Sequence, residues 1–384
     1  MSGYCFKEEL YVIIKNVLVF SEDKKFQEGT ITIENDVFSD SCSDDEVIDG
    51  QGCYAIPGLV DIHFHGCMGA DFCDGSVDAI REIAEYEASQ GITTIVPATM
   101  TLSEDELMQI MAAAKEYNQL ENVSGASLAG INMEGPFISA AKKGAQAAAH
   151  ICKPDAELFR RLQKASGGLI KLCDIAPEEE SAMNFIKELK DEVNISFAHT
   201  MAGYDVAKAG YDLGACHATH LYNAMPAFAH RDPGVIGAAR DSKHVHVELI
   251  CDGIHIHPST VRATFEMFGD DRIVLISDSM RATGLSDGEY TLGGQAVQVT
   301  GKLATLVSDG AIAGSCTNLM DCVRTAVKEM GIPLESAVAC APMNAAKSVG
   351  LYEKCGSITT GKSADVVLLD KDLNIKNIIL RGQL

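Results

Sequence analysis

The amino-acid sequence predicts an α/β fold, a TIM-like (β/α)8 barrel with a small β-sandwich domain built from both ends of the chain. Between Leu59 and Asp278, short apolar stretches alternate with stretches that have apolar residues at helical spacing, the pattern of a parallel sheet with crossover helices. Eight strand candidates occur there, the number that closes such a barrel. The two chain ends contain strands without helices. We therefore expect the barrel at residues 57–355 and the sandwich at residues 1–56 and 356–384.

The chain ends are expected to contribute short strands separated by turns. Runs of β-branched and aromatic residues predict strands at 10–14, 17–20, 30–33, 54–56, 364–370 and 375–380. Polar clusters at 34–36 and 41–45, and the glycine-containing stretch 356–361, predict turns. Pro57 and Gly58 interrupt the strand before them, so we place the boundary between the two domains there.

In the middle of the chain, predicted strands and helices alternate. The strands are expected at 59–64, 92–97, 130–134, 169–173, 194–199, 215–220, 245–250 and 272–278. The helices are expected at 78–90, 103–120, 155–166, 178–190 and 204–212. Gly91 is a typical helix C-cap, and Ser103 followed by Glu106 is the capping-box pattern of a helix start. This order of elements predicts parallel strands whose C-terminal ends lie together.

Composition and charge exclude several classes of partner. The chain has 384 residues, of which 47% are hydrophobic and 22% are charged, so it can form a large core. A net charge of −23 argues against nucleic acid or an anionic membrane as a partner. No apolar run is long enough to span a bilayer, no secretory signal is evident, and the 13 cysteines form no CxxC pairs. We therefore expect a cytoplasmic protein with reduced thiols.

Two histidines stand at the end of the first predicted barrel strand. Side chains two residues apart on a strand project to the same side, so His63 and His65 are expected to point together, with Asp61 on their side. Gly66 permits a turn and the close approach of other groups. Two imidazoles so placed can bind one metal ion. A His-x-His pair alone is weak support for a metal site, because short patterns recur by chance.

Side chains that ligate metals recur at the C-terminal ends of the predicted strands. They are His63, His65, Glu134, His199, His220 and Asp278. Taken singly, each has an ordinary explanation, since a lone histidine is more often a hydrogen-bonded core residue than a ligand. A barrel collects the strand ends at one mouth, so their common position favours a metal site. Imidazole and carboxylate suit zinc, iron or manganese better than calcium, and two ions bridged by Glu134 or by a water are a reasonable arrangement.

At these residues the chain resembles a known family, the N-acetylglucosamine-6-phosphate deacetylases of the amidohydrolase superfamily. The matching segments are 57–66 (PGLVDIHFHG), 134–138 (EGPFI), 198–200 (AHT), 219–225 (THLYNAM), 252–255 (DGIH), 277–284 (SDSMRATG), 313–315 (AGS) and 344–347 (NAAK). The resemblance covers nearly the whole chain, including its β-rich ends. The EGPF and THLYNAM blocks are quite specific within the superfamily.

The resemblance implies an enzyme, a metal-dependent hydrolase that deacetylates N-acetylglucosamine 6-phosphate to glucosamine 6-phosphate and acetate. Such an activity belongs to amino-sugar catabolism and cell-wall sugar recycling. Asp278 matches the catalytic position, where a carboxylate next to the metal takes a proton from water and passes it to the leaving amine. A phosphorylated amino sugar is therefore the expected small-molecule partner.

The resemblance also implies the ligands of the metal. Glu134, His199 and His220 match the positions that hold the family's common divalent ion. His63 and His65 match a second site, which some members have lost. Because this chain keeps both histidines, we expect two ions per subunit, zinc or iron, with manganese or cobalt as alternatives.

Five further residues match the family's phosphate-binding positions. Asn223 and Ala224 correspond to an Asn-Ala pair that offers N–H groups, and His230, Arg231 and His255 correspond to basic positions. Arginine suits a phosphate because its guanidinium can make two parallel hydrogen bonds. The family is usually homodimeric, so one of these basic residues is expected to reach the site of the partner subunit. The alternative for Arg231 is an ordinary surface ion pair.

One position departs from the family pattern. After residues 143–145 many members carry a histidine that touches the substrate carbonyl, and here Gln146 stands in its place. Gln146 can donate an N–H to the substrate but cannot protonate it, so polarisation of the carbonyl would depend more on the metal. His150 shares a face with Gln146 if this segment is helical, although we favour a bystander role for His150.

Three alternatives stay open at this point. Hydantoinases, dihydroorotases and adenine deaminases belong to the same superfamily, and several use a modified lysine to bridge two metals; Lys171 is the one mid-strand candidate for that role. A phosphate of another N-acetyl amino sugar, such as a galactosamine type, is a closer variant. A non-catalytic sugar-phosphate sensor is the third, although the chain retains every expected ligand and Asp278.

Overall fold

The structure is a computed structural model that describes residues 11–40, 46–121 and 123–384. The start of the first predicted strand, at residue 10, and the turn predicted at 41–45 lie outside these ranges. In chain order the strands are β1 (Tyr11–Phe20), β2 (Phe26–Glu34), β3 (Val37–Phe38), β4 (Glu46–Asp49), β5 (Tyr54–Pro57), β6 (Leu59–Asp61), β7 (Gly66–Cys67), β8 (Ala70–Asp71), β9 (Ile92–Ile95), β10 (Ser127–Leu128), β11 (Ile131–Met133), β12 (Ile170–Ile175), β13 (Asn194–Phe197), β14 (His217–Ala218), β15 (His246–Ile250), β16 (Ile273–Ile276), β17 (Gly288–Leu292), β18 (Gln295–Thr300), β19 (Leu303–Leu306), β20 (Val366–Leu369) and β21 (Ile375–Ile379). The α-helices are α1 (Val77–Ser89), α2 (Glu104–Tyr117), α3 (Ala156–Ala165), α4 (Ala182–Leu189), α5 (Tyr204–Leu213), α6 (Gly234–Asp241), α7 (Pro258–Phe268), α8 (Leu319–Lys328), α9 (Leu334–Val338) and α10 (Asn344–Ser348).

A mixed sheet combines strands from both ends of the chain. Its order is β21-β20-β5-β1-β2-β3, and β4 pairs with β1. β5 and β20 run antiparallel, with Tyr54 opposite Leu369 and Pro57 opposite Val366. Apolar side chains of these strands form a core of their own, which includes Ile14, Ile33, Ala55, Val366 and Leu368. The β-rich chain ends therefore meet in one sheet, whereas the division of the chain into a sandwich domain and a barrel domain stays a prediction.

Two parallel sheets occupy the middle of the chain, in the orders β10-β9-β6 and β11-β12-β13-β14-β15-β16. Every strand pair in them is parallel, as strands joined by crossover helices must be. The predicted alternation of strands and helices is thus confirmed, with ends that differ by a few residues. The capping box at the start of α2 is also present, since the side chain of Glu106 accepts from the Ser103 N–H. Within the described residues, no helix combines the length and the apolar character needed to cross a membrane.

The six-stranded parallel sheet is buried on both faces. In β16, Val274 and Ile276 pack in one apolar cluster together with Ile250. Ile273 and Leu275 pack in a second cluster, which contains the helices. Successive side chains of a strand point to opposite faces, so these two clusters lie on the two sides of the sheet. Polar functional side chains are therefore expected at the ends of these strands.

The first parallel strand is shorter than predicted. β6 ends at Asp61, so His63 and His65 lie in the segment after the strand and not on it. Asp61 Oδ1 accepts a hydrogen bond of 3.2 Å from the His63 N–H, a local contact that competes with strand pairing. Gly66 follows at a tight approach, since a Cβ at this position would lie 2.1 Å from the Ala70 carbonyl oxygen. The close approach predicted for this glycine is therefore confirmed.

A three-stranded antiparallel sheet, β17-β18-β19, is absent from the prediction. Gly293 and Gly294 form the two-residue turn between its first strands, and both have a positive φ. Two glycines between stretches of alternating apolar and polar residues are a strong hairpin signal, so this hairpin could have been predicted from the sequence. The side chain of Leu292 lines the cavity described below, and the Gln295 side-chain amide donates to the Ala145 carbonyl. This hairpin therefore forms one wall of the site.

Candidate active site

A cavity of about 400 Å³ opens at the C-terminal ends of the parallel strands. Most residues predicted for the site line it, namely His65, Glu134, Gln146, His199, His220, Asn223, Ala224, His255 and Asp278. His63 lies behind them and is fully buried. His230 and Arg231 are exposed in the loop before α6 and are not among the lining residues. The structure thus brings together the predicted metal and catalytic residues, and leaves two of the predicted phosphate ligands outside.

Glu134 stands between two pairs of histidines. Its Oε1 lies 3.0 Å from His199 Nε2 and 3.2 Å from His220 Nε2. From the other pair, His63 Nε2 lies 3.6 Å from Oε1 and His65 Nε2 lies 3.5 Å from Oε2. Each pair forms, with Glu134, a cluster whose ligand atoms lie within 4.8 Å of one another. We call these clusters the His199–His220 group and the His63–His65 group.

The ring nitrogens of both groups fit metal ligands. His199 Nδ1 lies 2.8 Å from the Lys142 carbonyl oxygen, and His63 Nδ1 lies 3.0 Å from Glu248 Oε2. Both partners are acceptors, so each Nδ1 carries the hydrogen and Nε2 is left to bind a metal. His63 Nε2 is buried and has no hydrogen-bond partner among the described residues. The Nε2 atoms of His199 and His220 lie 3.2 Å apart. Imidazole and carboxylate donors in this arrangement suit a divalent transition metal.

Asp278 lies beside the His63–His65 group and lines the cavity. Its Oδ1 is 3.3 Å from His65 Nε2, and its N–H donates to the His63 carbonyl oxygen at 2.9 Å. Burial alone would raise the pKa of this carboxyl, but the hydrogen bond from His65 and the charges of the neighbouring histidines hold it below the ordinary value. Asp278 is therefore an ionised carboxylate at neutral pH and can accept a proton.

Three site residues adopt a backbone conformation that is unusual for residues with a Cβ. His199, His220 and Asp278 have φ values of 44°, 28° and 49°. Such a conformation costs on the order of 1–3 kcal/mol and persists only where neighbouring contacts fix it. Here the His199 carbonyl accepts from the Ser139 N–H, and the His220 N–H donates to Glu248 Oε2. The strain accompanies the turn that aims each side chain from its strand end towards the cavity.

Gln146 is held at both ends of its amide. Its Oε1 accepts a hydrogen bond of 2.6 Å from the Thr101 N–H, and its Nε2 donates to Glu134 Oε2 at 2.8 Å. One N–H of the amide is left for a substrate. Gln146 therefore positions Glu134, a contact that the sequence does not predict.

Two alternative residues lie away from the cavity. His150 is exposed at the end of the short 3-10 turn Ala148–His150 and lines a different pocket, so it does not replace the family's histidine. Lys171 is partly buried on β12 and is not among the residues that line the cavity. The position between the two histidine pairs is occupied by Glu134, which leaves no bridging role for this lysine.

Three further polar residues that line the cavity, His255, Asn223 and Lys142, offer N–H donors or positive charge. His255 Nδ1 lies 2.7 Å from Asp252 Oδ2. Burial alone would lower the pKa of this imidazole, but the hydrogen bond and charge of Asp252 raise it above the ordinary value. The side-chain amide of Asn223 donates to the His220 carbonyl oxygen at 3.2 Å. Lys142 also lines the cavity, although no sequence pattern marks it as a substrate contact.

Glu248 is a residue of the site that was not predicted from the sequence. It lies in the middle of β15 and is fully buried. Its Oε2 accepts from His63 Nδ1 and from the His220 N–H, both at 3.0 Å, and its Oε1 lies 3.3 Å from His217 Nδ1. Burial would raise the pKa of its carboxyl, but the neighbouring imidazoles of His63 and His217 hold it well below the ordinary value. The available signal was a single carboxylate between the apolar residues Val247 and Leu249.

The comparisons with known proteins agree with this geometry. The model of the Amidohydrolase family matches residues 54–384. The chain belongs to the amidohydrolase family. This amidohydrolase is 37% identical over 383 residues to the N-acetylglucosamine-6-phosphate deacetylase of Bacillus subtilis (strain 168), covering 97% of the chain and 96% of that protein. It is 34% identical over 339 residues to the N-acetylgalactosamine-6-phosphate deacetylase of Escherichia coli O157:H7, covering 85% and 86%.

Solved structures give the same relationship. The N-acetyl-D-glucosamine-6-phosphate deacetylase of Mycobacterium smegmatis, in complex with N-acetyl-D-glucosamine-6-phosphate, superposes on this amidohydrolase with a TM-score of 0.89 at 29% identity and 98% coverage of both chains. The enzyme of the same name from Thermotoga maritima has a TM-score of 0.86 at 31% identity, covering 97% and 98%. The family resemblance predicted from the motifs is thus confirmed over nearly the full chain.

Proposed function

We propose that this amidohydrolase is a metal-dependent deacetylase that converts N-acetylglucosamine 6-phosphate and water to glucosamine 6-phosphate and acetate. The observation that carries the proposal is the sharing of Glu134 by two histidine pairs, next to Asp278, at the wall of a cavity of about 400 Å³. Curated relatives at 37% and 36% identity carry the name of this activity. The 34% identical relative makes N-acetylgalactosamine 6-phosphate the second candidate substrate.

The proposed cofactor is a pair of divalent ions, zinc or iron, with manganese or cobalt as alternatives. Glu134, His199 and His220 would hold one ion, and His63 and His65 would hold the other with Glu134 as the shared ligand. When bound, such ions lower the pKa of a water molecule towards about 7 and polarise the acetyl carbonyl. The buried Nε2 of His63, which has no hydrogen-bond partner among the described residues, supports this ligand set.

The proposed proton path runs through Asp278, which also lies close enough to the histidines to contact a metal. Its carboxylate accepts a proton from the attacking water as the new C–O bond forms at the acetyl carbon. It then donates that proton to the nitrogen as the C–N bond breaks, so the amine leaves neutral. In this proposal the second N–H of the Gln146 amide, which lines the cavity, would donate to the carbonyl oxygen of the acetyl group.

The phosphate of the substrate is proposed to bind residues from two subunits. Asn223, Ala224 and His255 line the cavity of their own chain, whereas His230 and Arg231 are exposed at its outside. In a homodimer the latter two would reach the cavity of the partner subunit. The Arg231→Ala variant tests this role, because it should raise KM for the phosphorylated sugar while leaving KM for unphosphorylated N-acetylglucosamine unchanged. An unchanged preference for the phosphorylated sugar would count against it.

We also propose that the parallel strands form one closed (β/α)8 barrel at residues 57–355, with the chain ends as a sandwich domain, in a cytoplasmic protein. Two contacts support closure. A parallel bridge joins Ala98 to Asn132, between the two parallel sheets. At the other side the Asp278 N–H donates to the His63 carbonyl oxygen at 2.9 Å, next to the end of β6.

Acetate release tests the proposed activity. The protein is stripped with a chelator, reconstituted separately with zinc, iron, manganese or cobalt, and assayed on N-acetylglucosamine 6-phosphate and N-acetylgalactosamine 6-phosphate. We expect no acetate from the stripped protein and turnover after reconstitution, with the higher kcat/KM for the glucosamine substrate. Binding of either sugar phosphate without acetate release under any metal would favour the sensor alternative and defeat the proposal.

A further inference from the structure

We infer that Glu248 is a positioning residue that links the two histidine groups and enables the His63–His65 group to hold its ion. The inference rests on the proposed metal-dependent function. Glu248 is fully buried, and among the described residues the three polar contacts of its side chain are with histidines. Its Oε2 is 3.0 Å from His63 Nδ1 and 3.0 Å from the His220 main-chain nitrogen, and its Oε1 is 3.3 Å from His217 Nδ1.

The contact with His63 orients a metal ligand. Because the carboxylate accepts the hydrogen on Nδ1, it fixes the rotation of the ring and leaves Nε2 on the side of Glu134, 3.6 Å from Oε1. A carboxylate behind a ligating histidine also makes the imidazole a stronger donor to the metal. Without Glu248, no other hydrogen bond to the ring of His63 is present among the described residues.

The contact with His220 reaches the other group through the main chain. The N–H of His220 donates to the same oxygen that receives His63 Nδ1. His220 has a φ of 28°, a strained conformation that needs fixed neighbours. One carboxylate oxygen therefore sets the ring of His63 and the backbone of His220 at once, although these residues belong to different groups.

His217 closes the remaining side of the carboxylate. It is buried, and neither of its ring nitrogens makes a well-aligned hydrogen bond within the described part of the chain. Its Nδ1 faces Glu248 Oε1 at 3.3 Å, a distance that limits the rotation of the carboxylate. The two hydrogen bonds to Oε2 therefore set the orientation of Glu248, and His217 lies against Oε1 without a well-aligned hydrogen bond.

A purely structural role for Glu248 predicts a different behaviour. Removing one partner of a buried ion pair usually destabilises a fold, because the other partner is left uncompensated. A purely structural role therefore predicts lower stability of the metal-free chain with unchanged zinc affinity of the folded protein, whereas a positioning role predicts weaker zinc binding whether or not metal-free stability changes. Metal affinity and metal-free stability are therefore the two readouts that separate these roles.

The test compares Glu248→Ala and Glu248→Gln with Glu87→Gln. Glu87 is an equally buried carboxylate on α1, and no ion pair joins it to a histidine in the part of the chain that the structure describes. Stripped full-length proteins are titrated with zinc, and bound zinc per subunit and dissociation constants are measured. Thermal unfolding of the metal-free proteins is recorded beside them.

In Glu248→Ala, the dissociation constant of the second zinc should rise by roughly 10–100-fold, the usual effect of losing such a partner. Glu248→Gln should fall between this variant and the wild type, because its amide oxygen can still accept from His63 and His220. The loss in activity should appear in kcat more than in KM, and excess zinc should restore it. Glu87→Gln should bind two zinc ions like the wild type.

Wild-type zinc affinity in both Glu248 variants would overturn the inference, and so would a wild-type protein that binds a single zinc. If Glu248→Ala does not fold, Glu248→Gln decides by the same measurements. The proposed function fails separately: a protein that binds two zinc ions but releases no acetate from either sugar phosphate loses the function and keeps the role of Glu248.

Discussion

The two histidine groups share Glu134, and Glu248 contacts both of them, yet the acceptors that hold the rings of His199 and His63 differ. In the His199–His220 group, the ring of His199 is fixed by a main-chain acceptor, the Lys142 carbonyl. In the His63–His65 group, the ring of His63 is fixed by a buried side chain, Glu248. A main-chain acceptor is present whatever residue occupies position 142, whereas the acceptor for His63 depends on a single carboxylate.

The positions of the two groups differ as well. His199 and His220 both line the cavity. In the other group only His65 lines it, and His63 is fully buried behind His65. The His199–His220 group is therefore the more open of the two, and the ring of His199 is held by a main-chain acceptor. The His63–His65 group depends on a charged network that a single substitution can disturb, so substitutions should separate the contributions of the groups.

Removal of Glu134, the carboxylate shared by both groups, should impair metal binding in both of them. Glu134→Ala takes one ligand from each cluster, so we expect the loss of both ions and of all measurable acetate release. Bound metal is measured after dialysis, and the thermal unfolding of the metal-free variant provides the control for folding. A variant that keeps one tightly bound ion would mean that one of the groups does not depend on Glu134.

Asp278→Asn should separate chemistry from metal binding. The amide keeps the shape of the side chain but cannot accept the proton, so kcat should fall by about 10²–10⁴-fold, the usual contribution of a general acid–base group. Both ions should stay bound, because both histidine groups and Glu134 are intact. Acetate release and bound metal are measured on the same preparation. Full activity of this variant would remove Asp278 from the proton path.

Local sequence pattern is sufficient to place residues that lie within two positions of a strand end. A polar residue after an apolar strand lies at the C-terminal edge of a parallel sheet, so the pattern alone assigns Glu134, His199, His220 and Asp278 to one mouth. His63 was predicted to lie on the first strand, but β6 ends at Asp61 and the His63–His65 pair lies in the segment that follows. His199, His220 and Asp278 likewise lie two residues after the observed ends of their strands.

Residues whose role depends on distant contacts could not be predicted. Glu248 meets His63 across 185 positions of sequence, and no local pattern indicates that contact. Gln146 was expected to face the substrate, but its contact with Glu134 depends on where a loop folds back over the strand end. His230 and Arg231 lie outside the cavity of their own chain, and their assignment depends on a partner subunit.

His63→Ala and His199→Ala should reveal unequal contributions of the groups. His63→Ala removes a fully buried ligand from the His63–His65 group alone, so we expect one ion per subunit and a reduced but measurable kcat. His199→Ala removes a ligand that also faces the substrate, so its residual activity should be lower. The measurement is bound metal together with kcat for each variant. Equal activity of the two variants would contradict the proposed difference between the groups.

Substitution of Gln146 should have the smallest effect on activity. It tests how far the position of Glu134 depends on its hydrogen bond from the Gln146 amide. Gln146→Ala removes the hydrogen bond of 2.8 Å to Glu134 Oε2, and a bond to a charged group contributes about 1.5–3 kcal/mol, so kcat/KM should fall by roughly 10–100-fold. Gln146→Glu should be worse, because it sets a second carboxylate against the first and weakens both groups. Steady-state kinetics with bound metal measured in parallel tests this order. If Gln146→Glu instead matches the wild type, Glu134 is held by the metal and the histidines alone, and the contact with Gln146 is incidental.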